Sequence, residues 1–281
     1  MEATVPQPNT GDRRPKTASE TWFYQEQGHG PPLLLLHGLG ASGFSWRDNL
    51  GPLSRHFRVV APDIPPHGQS PAPLDGDYRL EALAQGVADF MERRSLREAA
   101  VAGNSLGGGL ALLLARERPD LVKSLILLAP AAALTRIPLI FYPLRLPGRL
   151  GRMAAVLLGP WMIPLAMRYM YQRWERITPA AVAGYARPYL DLRRRLALGR
   201  LCQCLELRPL DQVEDLLQGI QQPCLLIWGA KDRILPPSQG EWLRARLPQA
   251  KWRLLSQVGH APQEEAPDAV NKIIIDFLHP L

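Results

Sequence analysis

The chain has 281 residues, 46% of them hydrophobic and 21% charged, an ordinary balance for a globular fold with one sizeable core. Its three cysteines, Cys202, Cys204 and Cys224, have neither the spaced pairs of a disulfide scaffold nor a second Cys/His pair at metal-ligand spacing, so they read as idle thiols. The formal net charge of +7 raises the question of an anionic partner, which the placement of the charge must answer.

Residues 1–20, "MEATVPQPNTGDRRPKTASE", are polar and proline-containing and read as a flexible lead without the apolar stretch of a signal peptide. After them, short apolar runs alternate with helical spacing. "PPLLLLHG" (31–38) and "FRVVAPD" (57–63) read as buried strands, and "YRLEALAQGVADFMERR" (78–94) as a helix. "EAAVAGNS" (98–105) is a strand running into a glycine-rich turn, "LGGGLALLLARERPD" (106–120) a helix, and "VKSLILLAP" (122–130) a strand. Further on, 223–232 and 251–260 read as strands, and 236–248 and 266–280 as helices. Apolar strands separated by helices predict an α/β fold with a mostly parallel sheet covered by helices on both faces. Such sheets carry their sites at the carboxyl ends of the strands, where His37, Asp63, Ser105, Asp232 and His260 all fall.

The alternation breaks at 131–205, a proline-interrupted helical stretch that predicts a cap inserted between core segments 21–130 and 206–281. This stretch holds twelve Arg, no Lys, one Asp and one Glu, or +10, leaving −3 for the rest of the chain. Its longest uncharged run, Met153 to Met167, has 15 residues and two prolines, short of the ~20 that span a bilayer. No transmembrane helix is therefore expected, and a cytoplasmic location is. Basic, apolar helices of this kind favour anionic lipid surfaces, so peripheral membrane association through the cap is a further expectation. No nucleic-acid motif accompanies the charge, and no nucleic-acid partner is expected. Oligomeric state is open.

Gly103-Asn104-Ser105-Leu106-Gly107 is a G-x-S-x-G between a predicted strand and helix. A sharp turn there lifts the serine hydroxyl out of the sheet and aims the helix N-terminus at the same point. A serine needs a base. Among six histidines, only His260 both follows a late strand and is flanked by small residues. The imidazole needs an orienting carboxylate. Asp232, after the penultimate strand, is preferred to Asp63, Asp211 and Asp215 because it keeps the chain order Ser…Asp…His. An oxyanion needs two amide donors. Leu106 supplies one and Leu39 the other, with Gly40 as the alternative and Gly38 beside the substrate. His37 is expected to brace that loop rather than transfer protons. The cap's Phe141, Trp161, Met162, Met167 and Tyr171 are candidates for the substrate pocket.

H-G-L-G at 37–40, A-P-D-I-P-P-H-G-Q-S at 61–70, G-N-S-L-G-G at 103–108, W-G-A-K-D at 228–232 and G-H-A-P at 259–262 together resemble the α/β-hydrolase superfamily over roughly residues 22–279. The resemblance implies an eight-stranded sheet, a nucleophile, acid and base at Ser105, Asp232 and His260, and acyl-enzyme chemistry without metal or organic cofactor. Pro66 stands where the family usually has glycine, a difference of loop shape. A small-molecule carboxylic ester, lipid-like or thioester substrates included, is the expected substrate. Two other readings are a hydrolase of carbon–carbon bonds in ring-fission products and a binding protein without catalysis. Ring-fission hydrolases usually carry an aromatic after the histidine, where this chain has Ala261.

Overall fold

A computed structural model describes residues 22–132, 142–157, 159–206 and 210–279. Strands β1 (Tyr24–Gln27), β2 (Pro32–Leu36), β3 (Arg58–Pro62), β4 (Ala99–Asn104), β5 (Val122–Leu128), β6 (Cys224–Gly229) and β7 (Lys251–Leu255) form one sheet in the order β1-β3-β2-β4-β5-β6-β7. β1 runs antiparallel to β3, and every other neighbouring pair is parallel. Among the described residues the sheet thus has seven strands where eight were expected. β1 is half exposed, reads YQEQ and sits at the edge, so neither an apolar run nor a buried alternation announces it.

Helices α1 (Arg47–Ser54), α2 (Leu80–Arg93) and α3 (Leu106–Glu117) precede β5. Between β5 and β6 lie α4 (Tyr142–Arg145), α5 (Gly148–Leu157), α6 (Ile163–Met170), α7 (Pro179–Ala186), α8 (Leu192–Cys204) and α9 (Leu210–Gln218). After β6 come α10 (Pro237–Arg246), α11 (Pro262–Glu265) and α12 (Pro267–Leu278).

The alternation of side chains along each strand divides the core in two. Leu34, Leu36, Val101, Leu127 and Leu226 face α2, α3, α9 and α10, meeting Val87, Leu110, Val213 and Leu243. Leu33, Leu35, Ala102, Ile126 and Ile227 face the other way, onto Leu50 and Leu53 of α1 and Val270 and Ile274 of α12. Leucine runs such as that of β2 are apolar at every position because both faces are covered.

The helices between β5 and β6 have small cores of their own. Leu144, Ala155 and Cys202 join α4, α5 and α8. Met167, Tyr171, Ala181 and Tyr185 join α6 and α7, and they root this layer on Phe44 and Ala261 below. The fit there is close: a Cβ on Gly184 would lie 2.2 Å from the Phe44 ring. Burial pushes the thiols of Cys202 and Cys224 up to about 12, which leaves them protonated and inert at neutral pH.

Candidate active site

Ser105 sits between β4 and α3 with φ +52° and ψ −116°, a strained conformation for any residue with a side chain. The turn leaves no room around it. A Cβ on Gly103 would lie 2.3 Å from the Gly107 carbonyl oxygen, and one on Gly107 would lie 2.4 Å from that of Leu36. The Ser105 amide donates to the Leu128 carbonyl (3.0 Å), and its own carbonyl accepts from Ala131 (2.9 Å). The elbow is therefore pinned to the end of β5, and the strain is held by its surroundings.

Asp232 follows β6. Its Oδ1 accepts from the amides of Ile234 (2.8 Å) and Leu235 (2.9 Å). Its Oδ2 lies 2.8 Å from Nδ1 of His260. Both side chains are buried. A carboxylate at Nδ1 holds the proton on that nitrogen and leaves Nε2 free to act as a base. His260 itself is gripped from two directions. Its amide donates to the Met170 carbonyl at the end of α6 (2.9 Å), and its carbonyl accepts from the Asn104 side chain (3.1 Å). Ser105 and His260 line the same pocket.

The loop after β2 approaches the serine so closely that a Cβ on Gly38 would lie 3.2 Å from that of Ser105. Two buried histidines shape it. His37 donates from Nδ1 to the Gly38 carbonyl (2.8 Å) and accepts the Ile64 amide at Nε2 (2.8 Å). His67 donates from Nδ1 to the Ile64 carbonyl (2.8 Å) and accepts the Gly40 amide at Nε2 (3.0 Å). An amide donor at Nε2 requires the neutral ring, and burial pushes His37 down to about 4 and His67 down to about 3. Because His67 takes the Gly40 amide, that group is not available to an oxyanion. The Leu39 amide has no acceptor among the described residues, and neither has the first-turn amide of Leu106. Asp63 ties the neighbouring turns together by accepting from the amides of Gly43 and Gln69, each at 2.7 Å.

The pocket is mostly apolar. Leu80, Leu113, Leu205, Leu216 and Leu235 line it, with Met170 and Tyr185 from the helical segment above. The cap candidates fall elsewhere. Met167 and Tyr171 are buried in the small core of α6 and α7, turned away from the pocket. Trp161 is largely exposed, Met162 does not line the pocket, and Phe141 lies outside the described residues. Helical spacing shows which side chains share a face but not which face turns inward, and α6 turns Met170 to the site.

No motif marks residues 263–265. Gln263, Glu264 and Glu265 are buried despite their charge and polarity. Glu264 lines the pocket, pairs with Arg47 and accepts the Tyr185 hydroxyl at 2.5 Å. Glu265 accepts the amides of Gly259 (3.0 Å), Gln172 (2.7 Å) and Arg173 (3.0 Å), joining the histidine loop to the end of α6. Burial raises the pKa of both carboxyls, against the pull of Arg47 on Glu264 and of the amides on Glu265. Two glutamates within five residues of the candidate histidine were the available signal.

Comparison with known proteins finds relatives along nearly the whole chain. The chain is 32% identical over 245 residues to pimeloyl-[acyl-carrier protein] methyl ester esterase of Neisseria meningitidis, covering 87% of this chain and 92% of that one. A solved structure of a membrane phospholipase A, described as a bacterial virulence factor, superposes with a TM-score of 0.74 at 30% identity over 92% of this chain and 82% of that one. A meta-cleavage product hydrolase of Pseudomonas fluorescens gives a TM-score of 0.78 over 94% of this chain and 96% of that one, at 20% identity, a likeness of fold alone. The family model described as "alpha/beta hydrolase fold" matches residues 31–267. With a match of that extent over a sheet of this order, the chain belongs to the alpha/beta hydrolase family.

Proposed function

We propose that the chain hydrolyses carboxylic esters with apolar acyl groups through an acyl-enzyme on Ser105. The observation that carries this reading is the buried 2.8 Å contact between Asp232 and His260 beside a pocket that also receives Ser105. His260 Nε2 removes the hydroxyl proton as Oγ attacks the acyl carbonyl, while Asp232 stabilises the imidazolium. The amides of Leu39 and Leu106 receive the oxyanion; loss of one such donor typically costs ~3–4 kcal/mol of transition-state stabilisation. His260 then returns the proton to the leaving alcohol, and water releases the acid by the reverse sequence. The Neisseria relative's name, a methyl ester esterase, supports ester substrates.

The pocket's chemistry favours an ester over a ring-fission product. A ring-fission dienoate brings a carboxylate, and among the described lining residues there is no Lys or Arg to receive it, while Glu206 would repel it. Apolar walls suit an aliphatic acyl chain. Two measurements test the reading. A fluorophosphonate should label Ser105 stoichiometrically, as read by intact mass. A p-nitrophenyl ester series, run beside a thioester and a dienoate, should show turnover that rises with acyl length. Folded protein that takes up no label and turns over no ester would overturn the proposal and leave a binding role.

A further inference from the structure

The arginines of residues 131–205 do not share one role. Several hold the helical segment together or to the core. Arg145 donates to the carbonyls of Cys202 and Leu205, and Arg195 to that of Val156. Arg173 donates to the Glu265 carbonyl, Arg176 to the Glu264 carbonyl and the Asp48 carboxylate, and Arg194 to the Ser70 carbonyl. Arg149, Arg152 and Arg168 differ. They are exposed and have no carboxylate partner among the described residues.

Those three border an unusual surface. On α5, Leu150, Met153 and Leu157 repeat at i, i+3 and i+7 and so share one face, with Arg149, Arg152 and Val156 on the adjoining stripe. On residues 161–169, Trp161, Leu165, Arg168 and Tyr169 repeat at i, i+4, i+7 and i+8. The Trp161 indole donates to the Leu157 carbonyl at 3.1 Å, which joins the two stripes. The apolar members face outward, with Leu157 65%, Trp161 64%, Met153 56% and Leu165 54% exposed. The inward side is apolar too, carrying Gly151, Ala155 and Met167. A helix on a protein surface ordinarily turns polar side chains outward. A contiguous outward apolar patch edged by charge marks an interaction surface.

We propose that the outer face of α5 and α6 docks on an anionic phospholipid bilayer. Leu150, Met153, Leu157, Trp161 and Leu165 enter the boundary between headgroups and acyl chains, and Arg149, Arg152 and Arg168 meet the phosphates. Charge complementarity selects this occupant. From Tyr142 to Met170 there is no Asp or Glu, so a second copy of the face would bring cations against cations. No single described helix is long and apolar enough to cross a membrane, and the two helical stretches, Gly148–Leu157 and Pro160–Met170, are bent by 69° to one another. The pair is suited to lying along a surface. α6 also ends at Met170, which lines the pocket and whose carbonyl holds the His260 amide, so docking brings the bilayer within about one helix diameter, ~10 Å, of the site.

Flotation of the full chain with phosphatidylcholine vesicles, with and without phosphatidylglycerol, tests this directly, independently of any hydrolytic activity. The wild type should float with the anionic vesicles at low salt, weakly with neutral ones, and less at high salt. Neutralising each arginine should weaken partitioning about five-fold, so that Arg149→Gln/Arg152→Gln/Arg168→Gln loses roughly a hundred-fold. Leu157→Asp/Leu165→Asp should abolish flotation while circular dichroism and turnover of a water-soluble ester stay at wild-type values. Three results overturn the proposal: wild type that stays with neither vesicle, flotation that survives both sets of substitutions, or a concentration-dependent dimer by ultracentrifugation that Leu157→Asp/Leu165→Asp dissolves in the absence of vesicle binding.

Discussion

The Asn104 side-chain amide donates at once to the Leu128 carbonyl (3.0 Å) and to the His260 carbonyl (3.1 Å), linking the residue before the elbow to the end of β5 and to the histidine loop. Its Oδ1 in turn accepts from Gln263 (3.3 Å). One buried amide thus ties the placement of His260 directly to the strand that carries Ser105. Asn104→Ala leaves two buried carbonyls without that donor, which should cost about 1–3 kcal/mol of stability. Ester kcat should fall about ten- to hundred-fold with KM little changed, because misplacement weakens the transition state rather than binding. Steady-state kinetics beside a denaturant melt separates the two effects.

Ser105 supplies a hydroxyl from a backbone conformation that disfavours side chains. Activity and strain can be separated by two substitutions. Ser105→Ala and Ser105→Gly should both lose ester turnover, since neither offers a nucleophile. Only glycine relieves the positive φ, so Ser105→Gly should be more stable than Ser105→Ala by about 1 kcal/mol, even after glycine's entropy is counted. Equal melting curves for the pair would show that the turn carries no such strain.

The parts legible in the sequence are those in which one physical rule decides. Leu33 to Leu36 read as a strand because both faces of a parallel sheet are covered. Ser105, with Gly103 and Gly107, read as an elbow because only small residues survive that approach. β1 did not show, because an edge strand of sequence YQEQ has no apolar signature. Glu264 and Glu265 did not stand out as buried, because their partners, Arg47 and the amides of Gly259 and Gln172, are distant in sequence or silent in it. Trp161 and Met167 belong to the same stretch, yet one faces out and the other in, and helical periodicity alone assigns no sign to a face.

Protonation of the loop histidines gives a prediction in pH. His67, pushed down to about 3 by burial and then by its neighbour His37, is neutral when folded and takes up a proton near pH 6.5 when unfolded. The unfolded state then binds more protons between those values. Its contribution to stability is complete above pH ~6.5 and falls on acidification by up to about 1.4 kcal/mol per pH unit. The buried carboxyls of Asp63, Glu264 and Glu265, raised by burial, act in the opposite sense, so the test is a difference. His67→Gln retains an acceptor for the Gly40 amide but does not titrate. The stability gap between wild type and His67→Gln, measured by urea melts, should narrow steadily from pH 7 to pH 5. A gap independent of pH would mean that His67 is not held neutral.

Arg47 and Glu264 form a pair whose two members are unequally placed: Glu264 is buried at the pocket wall, whereas Arg47 is partly exposed. Glu264 also takes the Tyr185 hydroxyl from α7, so the pair fastens the helical layer to α1. Removing the arginine strands a buried carboxylate, and such losses cost about 3–5 kcal/mol. Arg47→Ala should therefore lower stability by about that amount, and at neutral pH more than at acid pH, where Glu264 takes up a proton. Adding Glu264→Gln removes the charge while keeping an oxygen for Tyr185, and it should recover more than half of the loss. A double-mutant cycle on denaturant midpoints reads the coupling directly; additive effects would mean that the two groups stabilise the fold independently.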